Sequence, residues 1–269
     1  MELTAREEIF NQAKEWVYEA GELIRSKMKN PFVIETKSNA NDLVTEIDQA
    51  TEQFFAEKIR HVFPTHKIVG EEGYGDQVSS LDGTIWIIDP IDGTMNFVHQ
   101  KRNFAISIGI YHDGIGEIAF IYNVMEDVLY TALRGKGAFK NGQKLPSLKS
   151  DVRIENSIIA MNAFICYEEG RINTDKIKSL VFDSRGTRSY GSAALEFAFV
   201  AEGIIDAYIS LSLAPWDFAA GIILVEEVGG ITTTVSGDPV NILERNSILT
   251  CNKQIVDELT SKYLELKNR

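Results

Sequence analysis

One stretch constrains the fold of this chain more than any other: Ile85-Trp86-Ile87-Ile88-Asp89-Pro90-Ile91-Asp92-Gly93-Thr94-Met95-Asn96-Phe97. Residues 85–88 form a short apolar run rich in β-branched side chains, the pattern of a buried strand. Asp89 and Asp92 follow directly, so the edge of a sheet aims two carboxylates outward. Pro90 has no N–H and biases Asp89 away from the helical region, while Gly93 admits a tight turn, which predicts a rigid bend after the strand. Residues 93–97 then open a helix whose first backbone N–H groups suit an anion. Taken alone, Asp92-Gly93 is also ordinary turn chemistry. The other acidic stretches decide between the two readings.

Along the chain, apolar residues at steps of three and four predict an amphipathic helix from Leu3 to Lys29, stopped by Asn30-Pro31, and a second from Asp42 to Val62, ended by Phe63-Pro64. A short strand at Ile68-Val69 leads into Gly70-Glu71-Glu72-Gly73. After the central stretch come strand-like runs at residues 104–111, 117–124 and 127–133, punctuated by Arg134-Gly135-Lys136-Gly137 and by a hairpin at Asn141-Gly142. The first half reads as two helices against an antiparallel sheet. A polar stretch from Ser147 to Glu155 marks a boundary, giving halves 1–150 and 151–269. Beyond it, strands at 157–161, 206–211, 231–235 and 247–251 alternate with helices at 175–181, 193–202 and 218–228 and a closing helix at 254–266, the pattern of an α/β layer.

Composition narrows the function. The formal charge of −12, from 39 acidic and 27 basic residues, argues against a nucleic-acid backbone or an anionic membrane as partner. Cys166 and Cys251 form no CxxC pair, the N-terminus lacks a signal-peptide core, and no apolar run approaches membrane-spanning length, so a cytoplasmic protein is expected. A small polyanionic substrate remains open to it if cations mask the local field.

Glu71, Asp89, Asp92 and Asp217 each fall just beyond a strand or at a helix start, where chains converge on a site. Two carboxylates about 5 Å apart repel by roughly 3 kcal/mol at an effective dielectric near 20. A converged set must therefore hold protons or divalent cations. Oxygen-only donors favour Mg²⁺, Mn²⁺ or Ca²⁺ over Zn²⁺, and His61, His66, His99 and His112 form no HExxH pair. The glycines at 70, 73 and 75 are not followed by Gly-Lys-Ser/Thr, so they make no P-loop.

Gly70-Glu71-Glu72, the segment Trp86 to Phe97 and Pro215-Trp216-Asp217-Phe218-Ala219-Ala220-Gly221 resemble the signatures of the inositol monophosphatase family. Asp42 to Asp48, Gly135-Lys136-Gly137-Ala138-Phe139 and Gly191-Ser192-Ala193-Ala194 match its pattern in the same order, so the likeness covers nearly the whole chain. The resemblance implies an αβαβα sandwich, a homodimer, and Mg²⁺-dependent hydrolysis of a small phosphate monoester such as inositol monophosphate. By the same likeness, Glu71, Asp89 and the Ile91 carbonyl hold one metal and Asp89, Asp92 and Asp217 a second. Glu71 also reaches a third, weaker ion. Mn²⁺ can substitute, while Ca²⁺ or Li⁺ inhibits. Gly93, Thr94 and Asp92 surround the phosphate. The Thr94 hydroxyl, oriented by Asp48, positions the attacking water, with Glu71 part of the catalytic set.

Gly191, Ser192 and Ala193 line the substrate pocket by backbone contacts, because Gly191-Ser192-Ala193 lacks the Gly-x-Ser-x-Gly elbow of a serine nucleophile. Ser210 stands where phosphatases specialised for inositol carry a glutamate for the ring hydroxyls, so NADP(H), fructose 1,6-bisphosphate and adenosine 3′,5′-bisphosphate are alternative substrates for the same chemistry. A non-catalytic metal- or phosphate-binding protein and a phosphoryl transferase are the competing classes.

Overall fold

The computed structural model describes residues 1–36 and 43–267. Helix α1 (Leu3–Lys27) buries Ile9, Ala13, Trp16, Val17, Ala20 and Ile24 along one stripe, as its periodicity requires. A hairpin of β1 (Ile34–Thr36) and β2 (Leu43–Thr45) then precedes α2 (Glu46–Val62). The expected start of this second helix, Asp42, lies outside the described residues, and Leu43–Thr45 is strand. Thr45 sets the boundary. Its Oγ1 accepts from the N–H groups of Ile47 at 3.1 Å and Asp48 at 3.4 Å, while Asp48 Oδ2 accepts from the Thr45 N–H at 3.0 Å. That reciprocal cap starts the helix at Glu46.

The main sheet has seven strands lying in space in their order along the chain. They are β3 (Lys67–Gly70), β4 (Thr84–Asp92), β5 (Ala105–His112), β6 (Ile115–Asn123), β7 (Val128–Leu133), β8 (Gly137–Lys140) and β9 (Gln143–Lys144), with α3 (Thr94–Gln100) between β4 and β5. β3 runs parallel to β4, so the sheet is mixed where the sequence predicts an antiparallel one. The long connection between Gly70 and Thr84 is the reason, since it returns the chain to the starting end of the sheet. Asn141 and Gly142, with φ of 47° and 78°, form the expected hairpin turn between β8 and β9.

Strand β4 is buried along all nine residues and runs on through Asp92, past the end at Ile88 that the apolar run suggests. Asp89 pairs with Ser107 and Asp92 with Ala105, so β4 carries one extra residue across Pro90-Ile91. The bulge accommodates Pro90, which has no N–H to give a ladder.

The second sheet is built by β10 (Ile158–Met161), β11 (Gly186–Arg188), β12 (Ala207–Leu213), β13 (Ile231–Thr233) and β14 (Asn246–Cys251), in the spatial order β11-β10-β12-β14-β13. Between them run α4 (Thr174–Asp183), α5 (Ala193–Glu202) and α6 (Pro215–Glu226). The closing segment departs from the helix expected over 254–266: it makes one α turn, Val256–Glu258, and one π turn, Leu259–Tyr263. It ends there because Glu265 and Lys267 pair by backbone hydrogen bonds with Asn173 and Arg171, which needs extended chain.

Three apolar cores separate the layers. Trp86, Ile88, Ile106, Ile108, Phe120 and Tyr122 face α1 and α2. Ile85, Ile87, Ala119 and Ile121 face α5 and α6, whose other side meets Tyr208 and Ile248 of the second sheet. Ile159, Ile209, Leu249 and Cys251 pack outward against Ile177, Leu180, Leu259 and Tyr263. The order helix, sheet, helix, sheet, helix is the expected αβαβα sandwich. Both cysteines are free thiols, Cys166 partly exposed and Cys251 wholly buried in the outermost core.

Candidate active site

Alternation along β4 sends Trp86 and Ile88 to one core and Ile85 and Ile87 to the other, and the bulge then re-aims the end of the strand so that Asp89 and Asp92 share one side. Asp217 arrives from the opposite layer. Pro215 occupies the first position of α6, where a missing N–H costs nothing, and Asp217 Oδ2 accepts from the Ala214 N–H at 2.8 Å. One carboxylate oxygen from each of Asp89, Asp92 and Asp217 lies within 4.8 Å of the others.

The start of α5 closes around Asp92. Its Oδ1 accepts from the Ala193 N–H at 3.2 Å and its Oδ2 from the Ala194 N–H at 3.0 Å and from the Ser192 hydroxyl. Ser192 therefore engages the acid through its side chain, in addition to the backbone role expected for this segment. Asp89 Oδ1 accepts from the Ile91 N–H at 3.0 Å. Gly93 caps α3 at φ 91°, and an added Cβ there would press on the Gly191 carbonyl and on Ser192, so the two glycine turns meet face to face.

Thr94 Oγ1 lies 3.3 Å from Asp48 Oδ1 and 3.1 Å from the Ile91 carbonyl oxygen, joining α2 to the end of β4. Burial, then the charges of Glu71, Asp92 and Asp217, hold Asp89 well above the usual carboxylate range. Burial lifts Asp217 to about 8, with Asp92 the main neighbouring charge. Burial also raises Asp92 to about 7 although Ser192 and Ala194 pull it down, and Asp48 to about 6 against its bonds to Thr45. The charge of Glu71 contributes to every one of these shifts, although Glu71 is not among the three acids whose oxygens lie within 4.8 Å of one another. None of Asp48, Asp89, Asp92 and Asp217 forms an ion pair with a described residue. The cluster fits divalent cations: converging carboxylates, no histidine or thiol among them, and mutual repulsion that bound cations would relieve.

A cleft of about 440 Å³ opens from Asp92 and Asp217. Gly191, Ser192, Ala193 and Ser210 line it, and it runs on to Phe164, Glu168 and Arg171. Three residues of the site escape sequence reasoning. Glu196, nearly buried beside Asp92, accepts from the Tyr190 N–H at 2.6 Å and so shapes the Gly191 turn. The side-chain amide of Asn96 donates to the Tyr190 and Asn103 carbonyls at 2.7 and 2.8 Å. Glu52, wholly buried, holds the loop that carries Glu71. A signal exists for two of them: Glu196 is the sole charge inside the run Ala193 to Ala201, and Glu52 falls four residues after Asp48 on the apolar face of α2.

Fold and site together place the chain among the phosphoric monoester hydrolases. More closely, it belongs to the inositol monophosphatase family, whose model matches residues 5–267. It is 54% identical over 260 residues to the inositol-1-monophosphatase of Bacillus subtilis (strain 168), covering 97% of this chain and 98% of that one. It superposes on the inositol-monophosphate-bound crystal structure of the staphylococcal enzyme SaIMPase-II with a TM-score of 0.86, at 41% identity and 95% and 94% coverage. It also superposes on an IMPase/NADP phosphatase complexed with Mg²⁺ and phosphate, with a TM-score of 0.88, 27% identity, and 98% and 100% coverage. No described helix is long and apolar enough to cross a membrane.

Proposed function

We propose that this phosphatase hydrolyses a small phosphate monoester such as inositol monophosphate with Mg²⁺, in a homodimeric, cytoplasmic enzyme. The convergence of Asp89, Asp92 and Asp217 at the inner end of the cleft carries the reading. The inositol monophosphate bound to the staphylococcal relative, and the Mg²⁺ and phosphate bound to the NADP phosphatase, support it.

Glu71, Asp89 and the Ile91 carbonyl would hold one cation, Asp89, Asp92 and Asp217 another, and Glu71 a weaker third. Bound there, divalent cations supply acidification of the attacking water and charge compensation at the leaving oxygen. The protein orients that water. With its proton directed to Asp48 Oδ1, Thr94 Oγ1 presents a lone pair to one of the water's hydrogens. Asp48 is fixed in turn by the Thr45 N–H and hydroxyl. Gly93 and Thr94 offer backbone N–H groups to the phosphate, Ser192 keeps Asp92 in place, and Gly191 and Ala193 bound the substrate.

A second reading on the same chemistry, an NADP-type substrate, is favoured by one observation. Ser210 puts a short side chain on the cleft wall, and the lining continues to Phe164 and Arg171, which leaves the cleft open beyond that serine. Phosphate release from inositol 1-phosphate, fructose 1,6-bisphosphate, NADP and adenosine 3′,5′-bisphosphate, with and without Mg²⁺ and with Asp89→Asn as blank, tests both. Release that needs Mg²⁺ and Asp89 supports the chemistry and ranks the substrates; release independent of either sinks it.

A further inference from the structure

We infer that Glu52 is a positioning residue for the cation site, acting through the loop that carries Glu71; the inference rests on the two-cation reading above. Glu52 lies on the buried face of α2, one helical turn after Asp48, and has no exposed surface. Its Oε2 accepts from the Glu72 N–H at 2.7 Å and its Oε1 from the Tyr74 N–H at 2.9 Å. Both oxygens therefore grip the backbone immediately after Glu71.

Gly70, on the other side of Glu71, touches the same carboxylate: a Cβ added there would overlap both oxygens and the carbon between them. Gly70 does not adopt a positive φ, so the glycine serves to leave room rather than to turn the chain. The far end of the loop is closed independently. Asp76 Oδ2 accepts from the Ile68 N–H at 2.9 Å, the Asp76 N–H donates to the Ile68 carbonyl at 2.7 Å, and a Cβ on Gly75 would overlap that carbonyl and the Gly70 nitrogen. Glu71 is thus carried on a loop fastened at both ends, and Glu52 is the fastening on its own side.

The choice of a carboxylate follows from the number of donors. Two backbone N–H groups point at one side chain, and only a carboxylate offers each an acceptor oxygen; a glutamine has one. Because Asp48 projects from the same helix one turn earlier, α2 sets both the partner of Thr94 and the position of Glu71.

The test is calorimetric titration of Mn²⁺ into the cation-free protein, with its melting temperature measured alongside, for Glu52→Gln, Glu52→Ala, Gly70→Ala, the Glu52→Ala/Gly70→Ala double variant and Asp89→Asn. Glu52→Ala should weaken Mn²⁺ binding by about 10-fold or more, the scale for outer-shell partners of metal ligands. Glu52→Gln, which keeps one acceptor, should lose less. Gly70→Ala should weaken binding in the native background by displacing the carboxylate, and should add nothing once Glu52→Ala has vacated that space.

Losses that simply add in the double variant overturn the inference, as do melting temperatures that fall while Mn²⁺ affinity stays native. If Glu52→Ala does not fold, Glu52→Gln and Gly70→Ala carry the same test. Asp89→Asn separates the two layers of argument: retained Mn²⁺ affinity in that variant sinks the two-cation reading itself and this inference with it, whereas its loss beside unaltered Glu52 variants sinks this inference alone.

Discussion

The two ends of the cleft are built on different terms. At the inner end, Asp89 and Asp92 stand on a strand buried along its whole length, Asp48 and Asp217 on the first turns of helices, and each accepts a hydrogen bond from backbone N–H. At the outer end, Phe164 stands on a 3-10 turn with 72% of its surface exposed, and Arg171 and Glu168 pair with each other at 3.6 Å across a loop. Packing and main chain fix the first; individual side chains define the second. On the proposed function, chemistry and choice of substrate should therefore be separable by mutation.

The largest effect expected on that separation is from Asp89→Asn. Removing a carboxylate shared by both proposed cations should cost about 3–4 kcal/mol of transition-state stabilisation, or roughly 10²–10³-fold in kcat/KM, for every substrate alike. The same variant should raise the melting temperature of the cation-free protein, because it deletes one of the repelling buried acids. Unequal losses among substrates would break the separation.

Stability should next show a specific pH dependence. Asp48, Asp92 and Asp217, at about 6, 7 and 8 in the folded chain, lie above their unfolded values near 4, so the native state holds the extra protons. Their contribution is present at low pH and is lost as pH rises from about 4 to 8. Thermal melts without divalent cations should fall across that window, and saturating Mg²⁺ should flatten the slope. A rise in stability over the window would contradict the electrostatics assigned to the inner end.

Ser192→Ala should then cost about 1–2 kcal/mol in kcat/KM, because Asp92 keeps its two backbone donors but loses the hydroxyl. An effect on selectivity alone belongs to the outer end. Ser210→Glu should move the ratio of kcat/KM for inositol 1-phosphate over NADP by about 10-fold with Mg²⁺ dependence unaltered. A change in Mg²⁺ dependence would show that the two ends are coupled after all.

Legibility in the sequence follows the same division. The strand-and-turn part of the inner end is readable because its geometry is local: Asp89, Pro90, Asp92 and Gly93 sit within one strand and turn, whereas Asp48 and Asp217 reach it from helices distant in sequence. The layers are readable from periodicity, since α1 shows its stripe and α5 is apolar nearly all round, as a helix between two sheets must be. What escapes is set by contacts distant in sequence. The parallel pairing of β3 with β4 depends on how a long connection returns, and the π turn at Leu259–Tyr263 on a backbone bridge between Ile172 and Leu266. Glu52 and the residues after Glu71 are some twenty positions apart, and nothing in either segment names the other.

Cys251 provides a clock for the outermost layer. Its thiol has no exposed surface, and burial pushes its pKa up to about 12, so in the native state it is neither reachable nor appreciably ionised. Alkylation of that sulfur can proceed only through openings that peel the closing segment from the second sheet. Partly exposed Cys166 reacts first and serves as the internal standard. The delay between the two reports how often the outer layer breathes, on a face of the molecule that the carboxylates never touch.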